Sequence, residues 1–398
     1  KNLKKTLLKS IRWNKSKSWI FGALAGSYVM REAYINAHLK SFKDEIVLVT
    51  GGSQGIGELI CEKFAREGSI IVIWARNMDK MLAAKANIES KVPGSQVHVY
   101  KVDVADRDAV YRTAKQVKKE VGVVSVLVHN AGIVSGKEIN DQTDKDYDRI
   151  QKVNATSHAW ATKAFLPDMI KQNRGHVISI TSAAGMIGVG RMTDYNASKF
   201  AAFGFNEALR AELRSKGHAT NATRGKGVQV MCVCPYFIDT GMFENVQNNN
   251  VPFLLPILQP DYVAEQVVQG AKRSDSLLVL PAFCWAIFLI RPLLSGRVFD
   301  KVMYDIVGIQ KTMVHFDAEK TGRQMHAVDS SSSSSSSSSR QSFAPSQKSP
   351  PVKRPSVSSN GRPSFLSSQT SGSSTKKRSS SRRPTFLPND PKVLQSKL

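Results

Sequence analysis

The sequence predicts an α/β fold in which a doubly wound, parallel sheet is covered by helices on both faces. From about residue 44 onward, short β-branched runs alternate with longer stretches of helical periodicity. The runs are apolar throughout, which is typical of strands buried on both faces of a parallel sheet. Hydrophobic residues make up 41% of the 398 positions, enough for at least one complete core. Together these observations indicate strands and helices alternating in one large domain.

Seven runs predict the strands of the sheet. In chain order they are Ile46–Thr50, Ile70–Trp74, Val97–Lys101, Val124–His129, His176–Ile180, Val228–Cys234 and Leu277–Leu280. Helical periodicity fills the intervals, for example over Met78–Val92, Asp106–Val121 and Asp194–Ser215. The last strand belongs to a longer apolar run that continues to Ile290 and is interrupted by Pro281. Beyond the strand, this run either faces lipid or belongs to the core.

Charge and composition divide the chain into residues 1–43, an α/β domain over 44–325, and a tail over 326–398. The net charge is +24, but residues 1–40 hold nine Lys or Arg against one Glu, and the tail holds twelve against two Asp. The central part is therefore close to ordinary in charge. This distribution argues against a nucleic-acid-binding domain, and nucleic acid is not an expected partner.

The first part of the chain has the composition of a membrane-contacting segment. Residues 1–18 are basic, and Trp19–Met30 is a short apolar run. This run of twelve residues is too short to span a bilayer, which needs about 20. Basic residues beside Trp and Phe suit an interfacial helix in the headgroup layer. We favour membrane contact over packing of this segment on the core.

The tail is predicted to be disordered. It contains the unbroken serine run Ser330–Ser339, and Pro, Ser, Lys and Arg dominate the remainder. Such a segment cannot bury enough apolar surface to offset the entropy of ordering it. It either binds RNA or anionic lipid, receives phosphates, or is a solvated tail without a specific role. The chain ends in Ser396-Lys397-Leu398, which matches a peroxisomal address, although a tail rich in Ser and Lys also produces this match by chance.

The four cysteines predict buried thiols and no metal site. Cys61, Cys232, Cys234 and Cys284 contain no CxxC pair and no spacing typical of metal ligands. Free buried thiols are typical of proteins in a reducing compartment.

A glycine-rich turn after the first predicted strand is the first sign of chemistry. Thr50–Gly57 reads Thr-Gly-Gly-Ser-Gln-Gly-Ile-Gly and opens a predicted helix. Glycine lets the backbone approach a pyrophosphate closely, and the helix N-terminus offers free N–H groups and a positive dipole end. The strand–turn–helix context favours a dinucleotide site over a plain turn. The expected cradle consists of Gly51, Ser53, Gln54, Gly55, Ile56 and Gly57.

The end of the second predicted strand indicates which dinucleotide binds. NAD sites usually place an Asp or Glu about 20 residues after the glycines, where it accepts a hydrogen bond from the ribose 2′-hydroxyl. Here the segment reads Ile73-Trp74-Ala75-Arg76-Asn77 and contains no acid. A guanidinium binds a 2′-phosphate by charge and by a bidentate fork. Arg76 therefore favours NADP(H), with NAD(H) as the alternative if Arg76 is only a surface charge at the strand end.

Tyr195 and Lys199 predict an acid/base pair. They stand four residues apart on a predicted helix and share one face. A free tyrosine has a pKa of about 10, and a nearby lysine ammonium favours the phenolate and lowers that pKa. The pair would exchange a proton with an alcohol or ketone. Ser182 would hold the substrate oxygen, or it is a cap or turn serine, with Ser179 and Thr181 as competitors.

These signals occur together in one family. From about residue 44 to residue 300, the chain resembles the short-chain dehydrogenases/reductases, whose TGxxxGxG cofactor loop is similar to the turn that contains Gly51, Gly55 and Gly57. The resemblance implies a Rossmann-type fold of about seven strands, a nicotinamide cofactor, and hydride transfer between a hydroxyl and a carbonyl.

The resemblance also implies roles for further residues. Asn154 matches the helix asparagine that holds a water in the proton relay, and it completes a catalytic tetrad with Ser182, Tyr195 and Lys199. Lys199 would also hold the nicotinamide ribose. The cofactor contacts implied by the family are Asp103 and Val104 at the adenine, the motif Asn130-Ala131-Gly132, and Pro235, Ile238 and Thr240, of which the last two would touch the carboxamide end.

One branch of the family fits the sequence best. Pro235-Tyr236-Phe237-Ile238-Asp239-Thr240 departs from the family's common Pro-Gly pattern and resembles the microsomal retinol dehydrogenase and 17β-hydroxysteroid dehydrogenase branch. Ala-Phe-Leu-Pro at 164–167 and Ser-Lys-Phe at 198–200 also resemble it. This branch implies a lipophilic substrate of the retinoid or steroid class. The apolar segment Gly241–Leu258 is expected to form a lid over it.

Two other functions stay open. The segment Trp-Ala-Arg-Asn-Met-Asp-Lys at 74–80 also resembles 3-ketosphinganine reductases, which use NADPH. In a different class, the chain would be a non-catalytic protein that binds RNA or a lipid surface through its basic tail.

Location and assembly follow from the same features. The N-terminus and the branch resemblance favour the endoplasmic reticulum membrane or a lipid droplet, while the C-terminal Ser-Lys-Leu favours the peroxisome. The resemblance further implies a homo-oligomer that forms through the helices carrying Asn154 and Tyr195.

Overall fold

The computed structural model describes residues 39–219, 227–243 and 249–313, and also positions 26–27, 29–30, 32–34, 37, 246 and 316. The run Trp19–Met30 lies largely outside these residues, but its described positions, which include Val29 and Met30, are helical and exposed. The tail over 326–398 lies wholly outside the described residues, and with it the final Ser-Lys-Leu.

Seven parallel strands form one sheet, which confirms the predicted fold class. They are β1 (Ile46–Thr50), β2 (Ile70–Ala75), β3 (Val97–Lys101), β4 (Val126–His129), β5 (Arg174–Ile180), β6 (Gly227–Pro235) and β7 (Leu277–Leu280). Their order across the sheet is β3-β2-β1-β4-β5-β6-β7. The predicted starts differ most at β4, which begins two residues later than expected, and at β5, which begins two residues earlier.

Helices cover both faces of the sheet. In the described residues they are α1 (Gly55–Arg66), α2 (Met78–Lys91), α3 (Arg107–Glu120), α4 (Asp144–Gln151), α5 (Ser157–Lys171), α6 (Thr193–Ser215), α7 (Pro260–Arg273), α8 (Trp285–Ile290) and α9 (Gly296–Asp300). A π-helical turn, Lys152–Thr156, joins α4 to α5, and a second one, Lys301–Ile306, follows α9. Helices α1, α2 and α7 pack on one face, and α3, α5 and α6 pack on the other.

The first strand shows how the sheet holds these two layers together. Val47 and Val49 belong to the core that includes Phe64 of α1. Leu48 lies between them in the chain and belongs to the opposite core, with Phe165 of α5. All five side chains are buried. A strand with both faces covered needs apolar residues at every position, which explains the unbroken apolar run in the sequence.

The apolar run after β7 is divided between core and surface. A 3-10 turn, Ala282–Cys284, leads into α8, and Cys284 and Ile287 are buried. Phe283 and Trp285 are 44% and 43% exposed. One part of the run therefore belongs to the core, and another part is exposed to solvent. Across the residues that the structure describes, no helix combines the length and the apolarity needed to cross a membrane.

Strands β1 and β4 are neighbours although β2 and β3 separate them in the chain. From β1 the chain proceeds to β2 and β3 on one side, and from β4 it proceeds to the strands on the other side. This reversal opens a crevice at the carboxyl ends of the strands, which is where doubly wound folds bind ligands.

Candidate active site

A cleft of about 970 Å³ occupies this crevice. It brings together every residue that the sequence assigned to a site, with the exception of Asn154. The predicted residues that line the cleft are Gly51, Ser53, Gln54, Gly55, Ile56, Gly57, Arg76, Asp103, Val104, Asn130, Ala131, Gly132, Ser182, Tyr195, Lys199, Pro235, Ile238 and Thr240. One end of the cleft follows the glycine-rich turn and the ends of β2 and β3, and the other end is apolar.

The glycine-rich turn is fastened to the loop after β4. The Thr50 hydroxyl accepts hydrogen bonds from the backbone N–H groups of Asn130 (3.0 Å) and Ala131 (3.1 Å). In return, the Asn130 side-chain amide donates to the carbonyl oxygens of Thr50 (3.0 Å) and Gly51 (3.1 Å). These four bonds fix the two loops against each other at the reversal between β1 and β4.

Two glycines in this turn are required by its geometry. Gly51 has φ of +68°, a left-handed conformation that side chains other than glycine rarely adopt. Gly57 is the third residue of α1. A Cβ at this position would collide with the Asn130 amide and with the Gly51 carbonyl. The close approach of these backbones leaves the helix N-terminus open toward the cleft, as phosphate binding requires.

The cleft is basic where it passes the ends of β2 and β3. Arg76, Lys80 and Lys101 line it there, together with Asp79 and Asp103. The Lys80 ammonium donates to Gln54 Oε1 at 3.0 Å, which holds it beside the glycine-rich turn. Lys80 and Lys101 were not among the predicted site residues. Lys101 is the last residue of β3, so its position at a strand end was a signal in the sequence that could have found it.

The predicted adenine-contacting residue Asp103 is held by a neighbour that the sequence did not indicate. Its carboxylate accepts a bond from Arg149 of α4 at 2.6 Å, and its other oxygen accepts one from the backbone N–H of Ala105 at 2.9 Å. The Arg149–Asp103 pair is about three-quarters buried. The carboxylate is therefore fixed in orientation at the wall of the cleft.

Three side chains with acid/base or hydrogen-bonding groups meet in the middle of the cleft. Tyr195 stands in the first turn of α6, and Ser182 follows β5, with its hydroxyl hydrogen-bonded to Tyr195. Lys199 lies one turn further along α6, with its ammonium 5.4 Å from the centre of the Tyr195 ring. That ammonium donates to the Ile180 carbonyl at 2.9 Å. The predicted trio is thus assembled by one helix and one strand end.

Burial controls the protonation of this trio. It raises the pKa of the Tyr195 phenol above its ordinary value, and the hydrogen bond with Ser182 opposes that rise only in part. It also lowers the pKa of Lys199 to about 8. This outcome differs from the expectation that Lys199 would lower the pKa of Tyr195. In the chain by itself, the cost of burying a phenolate exceeds the benefit from the nearby ammonium, so Tyr195 is protonated at neutral pH.

Asn154 lies behind the trio and does not line the cleft. It occurs in the π-helical turn between α4 and α5 and is fully buried. Its side chain accepts from the Ile133 N–H and donates to the Ile133 carbonyl, both at 2.9 Å, and also donates to the Ser198 hydroxyl at 3.0 Å. Asn154 therefore joins the loop after β4 to the helix of Tyr195 and Lys199.

Sequence reasoning missed two residues that support the site. Ser198 is fully buried between Asn154 and the Tyr195 carbonyl, to which its hydroxyl donates at 2.7 Å. Asn196 donates to the carbonyls of Ala184 (2.8 Å) and Ile187 (2.7 Å), and so fixes the loop that begins at Ser182. Both residues lie within the Tyr-Asn-Ala-Ser-Lys motif, but spacing alone gave no indication of their contacts.

Beyond Tyr195 the cleft widens into an apolar chamber. Its lining residues include Met192, Phe237, Phe243, Leu255, Ile287 and Ile309. The Phe243 ring meets the Tyr195 ring edge-on, with 6.0 Å between their centres. Leu255 and Phe243 belong to the segment Gly241–Leu258 that was expected to cover the substrate. The described part of that segment lines the chamber from one side, and Ile287 of α8 and Ile309 line it from beyond β7.

Comparisons with known proteins show the family of the chain. The short chain dehydrogenase family model matches residues 45–251. Human epidermal retinol dehydrogenase 2 is 39% identical over 284 residues, which cover 71% of this chain and 88% of that protein. Human retinol dehydrogenase 10 is 33% identical over 329 residues, covering 76% of this chain and 92% of that protein.

Solved structures share the fold. A short chain dehydrogenase/reductase from Burkholderia phymatum in complex with NAD is 22% identical, with a TM-score of 0.56, and the match covers 64% of this chain and 95% of that one. An alcohol dehydrogenase from Thermococcus sibiricus complexed with 5-hydroxy-NADP is 24% identical, with a TM-score of 0.52, and the match covers 60% and 96%.

Proposed function

Because this chain belongs to the short-chain dehydrogenase family, we propose that it transfers a hydride between NADP(H) and a hydroxyl or carbonyl group of a lipophilic substrate. Family membership makes it an NAD(P)-dependent oxidoreductase that acts on CH–OH groups. The observation that carries the more specific proposal is the position of Tyr195, which lies where the basic, glycine-bounded half of the cleft meets the apolar chamber.

A dinucleotide fits the first half of the cleft. The open helix N-terminus at Gly55–Arg66, with no Cβ tolerated at Gly57, suits a pyrophosphate. Asp103, Val104 and the Asn130–Gly132 loop would flank the rest of the cofactor, and Pro235, Ile238 and Thr240 would lie at its carboxamide end. When bound, NADP(H) supplies or accepts the hydride.

Tyr195 is proposed as the proton donor for carbonyl reduction. Its raised pKa keeps the phenol protonated at neutral pH, which is the form that donates. The Ser182 hydroxyl would hold the substrate oxygen and stabilise the charge that develops on it. Lys199 would hold the nicotinamide ribose and, with Asn154, return a proton to Tyr195. In the direction of alcohol oxidation, Tyr195 would first have to lose its own proton before it could accept the proton of the alcohol.

The preference for NADP(H) rests on charge at the ends of β2 and β3. Arg76 and Lys80 line the cleft beside the glycine-rich turn, and Lys101 lies at the next strand end. Three cations there suit the dianionic 2′-phosphate of NADP(H), whereas NAD(H) offers only hydroxyls. We therefore propose NADP(H) as the cofactor and NAD(H) as the poorer alternative.

A retinoid is the proposed substrate class. Both human relatives described above are named retinol dehydrogenases, and the apolar chamber begins directly at Tyr195. A steroid alcohol or ketone would meet the same lining. The second candidate is a 3-ketosphinganine-type reductase, which is favoured by the Trp-Ala-Arg-Asn-Met-Asp-Lys segment at 74–80. A non-catalytic function of the basic tail is not needed to explain the cleft.

Further proposals concern the ends of the chain, its assembly and its location. They concern membrane contact by residues 1–43, a catalytic domain over 44–325, a tail over 326–398, a homo-oligomer through the helices of Asn154 and Tyr195, and either the endoplasmic reticulum, a lipid droplet or the peroxisome as the location. They add to the proposed reaction but do not support it.

The experiment that tests the proposal follows NADPH and NADH oxidation by the purified full chain with all-trans-retinal, 3-ketosphinganine and a 17-ketosteroid. We expect turnover of retinal with a lower KM for NADPH than for NADH. Turnover of 3-ketosphinganine alone would move the assignment to the second candidate. Measurable NADPH binding without turnover of any of the three would overturn the lipophilic substrate class.

A further inference from the structure

The outer side of the apolar chamber carries large apolar side chains that face solvent. Phe253, Leu293 and Ile306 are 80%, 81% and 59% exposed. Monomeric soluble proteins rarely expose contiguous apolar patches of large side chains unless the patch binds something. We call the following six residues the rim surface: Phe253, Phe283, Trp285, Leu293, Val298 and Ile306.

The rim surface and the apolar chamber are two sides of the same segments. Leu255 lines the chamber, while Phe253, two residues earlier, points outward. Ile287 and Ile309 also line the chamber. Phe283 and Ile306, which lie in the turns just before these two residues, are instead exposed to solvent. The wall that separates the chamber from solvent is therefore apolar on both of its sides.

Hydrogen bonds join these segments into one surface. The Asn250 N–H donates to the Val307 carbonyl at 2.9 Å, and the Asn250 side chain donates to the Ile306 carbonyl at 3.0 Å. These bonds bring the loop of Phe253 beside the turn of Ile306. Arg291 lies over the Phe299 ring at 5.9 Å, which connects the end of α8 to α9. Exposed residues on these segments thus surround one end of the chamber.

Cations accompany this apolar surface. Two exposed carboxylates, Asp300 and Asp305, lie on the same segments as Val298 and Ile306. Arg297, Lys301 and Lys311 are also exposed there and exceed these carboxylates by one charge. They form no ion pair with the part of the chain that the structure describes. Exposed aromatic and aliphatic side chains flanked by Lys and Arg are the composition of surfaces that insert into the headgroup layer of an anionic bilayer.

We propose that the rim surface docks on an anionic phospholipid bilayer and opens the apolar chamber toward the lipid. A second protein would also cover apolar side chains, but the excess of positive charge on these segments favours an anionic partner. The proposal rests on the lipophilic substrate proposed above, because such a substrate dissolves in the bilayer and would enter the chamber without crossing water.

The native cysteines make a site-specific test straightforward. All four are buried, so an exposed cysteine introduced by Leu293→Cys takes up an environment-sensitive fluorophore selectively. The matched control is Leu82→Cys, since Leu82 is a 50% exposed leucine on α2 and does not line the cleft or its apolar chamber. Both variants are made in the full chain and mixed with phosphatidylcholine vesicles that contain or lack phosphatidylserine.

We expect the emission of the Leu293 label to shift to the blue with vesicles that contain phosphatidylserine, and less with phosphatidylcholine alone. The Leu82 label stays unchanged. An unchanged Leu293 label on protein that sediments with the vesicles would overturn the proposal, because other segments then bind the membrane. A blue shift already present without vesicles would overturn it too, because the chain itself or a second copy then covers the rim surface.

A kinetic test separates this proposal from the substrate class. In a Phe253→Glu, Leu293→Glu double variant, the KM for vesicle-borne all-trans-retinal should rise about tenfold or more, with the KM for NADPH and turnover of detergent-dispersed retinal unchanged. Leu82→Glu should change none of these. Equal KM values in the wild type and the double variant would contradict docking. Insertion of the Leu293 label without turnover of retinal in either form would leave docking intact and overturn the retinoid assignment.

Discussion

The Lys199 ammonium lies 5.4 Å from the centre of the Tyr195 ring, and both side chains are almost completely buried. The pair joins a proton donor with an unusually high pKa to an ammonium whose pKa has fallen to about 8. Burial therefore sets the protonation of both groups.

Removing the phenol should abolish proton transfer and leave the cofactor site intact. Tyr195→Phe keeps the ring that contacts Phe243 and deletes only the hydroxyl. We expect kcat for retinal reduction to fall by roughly 10²- to 10⁴-fold, the usual contribution of a positioned acid, with the Kd for NADPH unchanged. Steady-state kinetics and fluorescence titration measure these quantities. Tyr111→Phe on α3 is the control, and a Tyr195→Phe enzyme with wild-type kcat would contradict the assignment.

Lys199 should make the stability of the chain depend on pH. Its folded-state pKa, about 8, lies below its ordinary value of 10.5, so the unfolded state binds the proton more tightly. The destabilisation is fully present below about pH 8 and is lost as the pH rises toward 10.5. At about 1.4 kcal/mol for each pKa unit, the free energy of unfolding should gain about 2 kcal/mol from this group between about pH 7 and pH 9.5.

Lys199→Met lacks this gain. Urea unfolding of the wild type and Lys199→Met at both pH values, without cofactor, isolates the difference because other groups titrate alike in the two proteins. Lys216→Met, at an exposed lysine, should show the wild-type pH dependence. If the wild type and Lys199→Met differ in their free energy of unfolding by the same amount at both pH values, burial of the Lys199 charge does not reduce stability.

A methyl group at Gly57 should weaken cofactor binding. In Gly57→Ala the new Cβ meets the Asn130 amide and the Gly51 carbonyl, so the loops that flank the cofactor must separate. Overpacking of this kind costs about 1–3 kcal/mol, and we expect the Kd for NADPH to rise about tenfold or more. Gly204→Ala is the control, because nothing lies within 4 Å of a Cβ built there. Equal affinities in the two variants would contradict the proposed pyrophosphate site.

Arg76 should discriminate between the two dinucleotides. A hydrogen bond to a charged group contributes about 1.5–3 kcal/mol, so Arg76→Ala should raise the KM for NADPH by roughly 10- to 100-fold and change the KM for NADH little. Lys80→Ala should also raise the KM for NADPH, but by a smaller factor, because the Lys80 ammonium also donates a hydrogen bond to Gln54. Arg112→Ala, at an exposed arginine on α3, should have no effect. A parallel rise in both KM values would contradict a 2′-phosphate contact at Arg76.

The sequence predicted the fold because burial on both faces of the sheet makes each strand apolar. It also predicted the glycine-rich turn and several strand-end residues that line the cleft, since both features are visible in the residue order. Contacts between distant elements were not visible. Arg149 holds Asp103 across 46 positions, and nothing in the local sequence of α4 indicates this partner.

The pKa of Tyr195 illustrates a second limit. The spacing of Tyr195 and Lys199 predicted attraction between an ammonium and a phenolate, and the two groups do lie close together. Their burial depends on the surrounding helices and on the chamber, which spacing does not reveal. Desolvation therefore reverses the expected direction of the shift. The apolar run from Leu277 to Ile290 was also ambiguous in sequence, because some of its side chains are buried and others are exposed.

Hydride transfer with Tyr195 as the proton donor is tested most directly by transfer of deuterium to all-trans-retinal, by the full chain, from NADPH labelled at C4 of the nicotinamide. We expect retinol that carries one deuterium, formed by the wild type and at least about 10²-fold more slowly by Tyr195→Phe, which still binds NADPH. Retinol formed without deuterium from either C4-labelled face, or equal deuterium transfer by Tyr195→Phe, would contradict it.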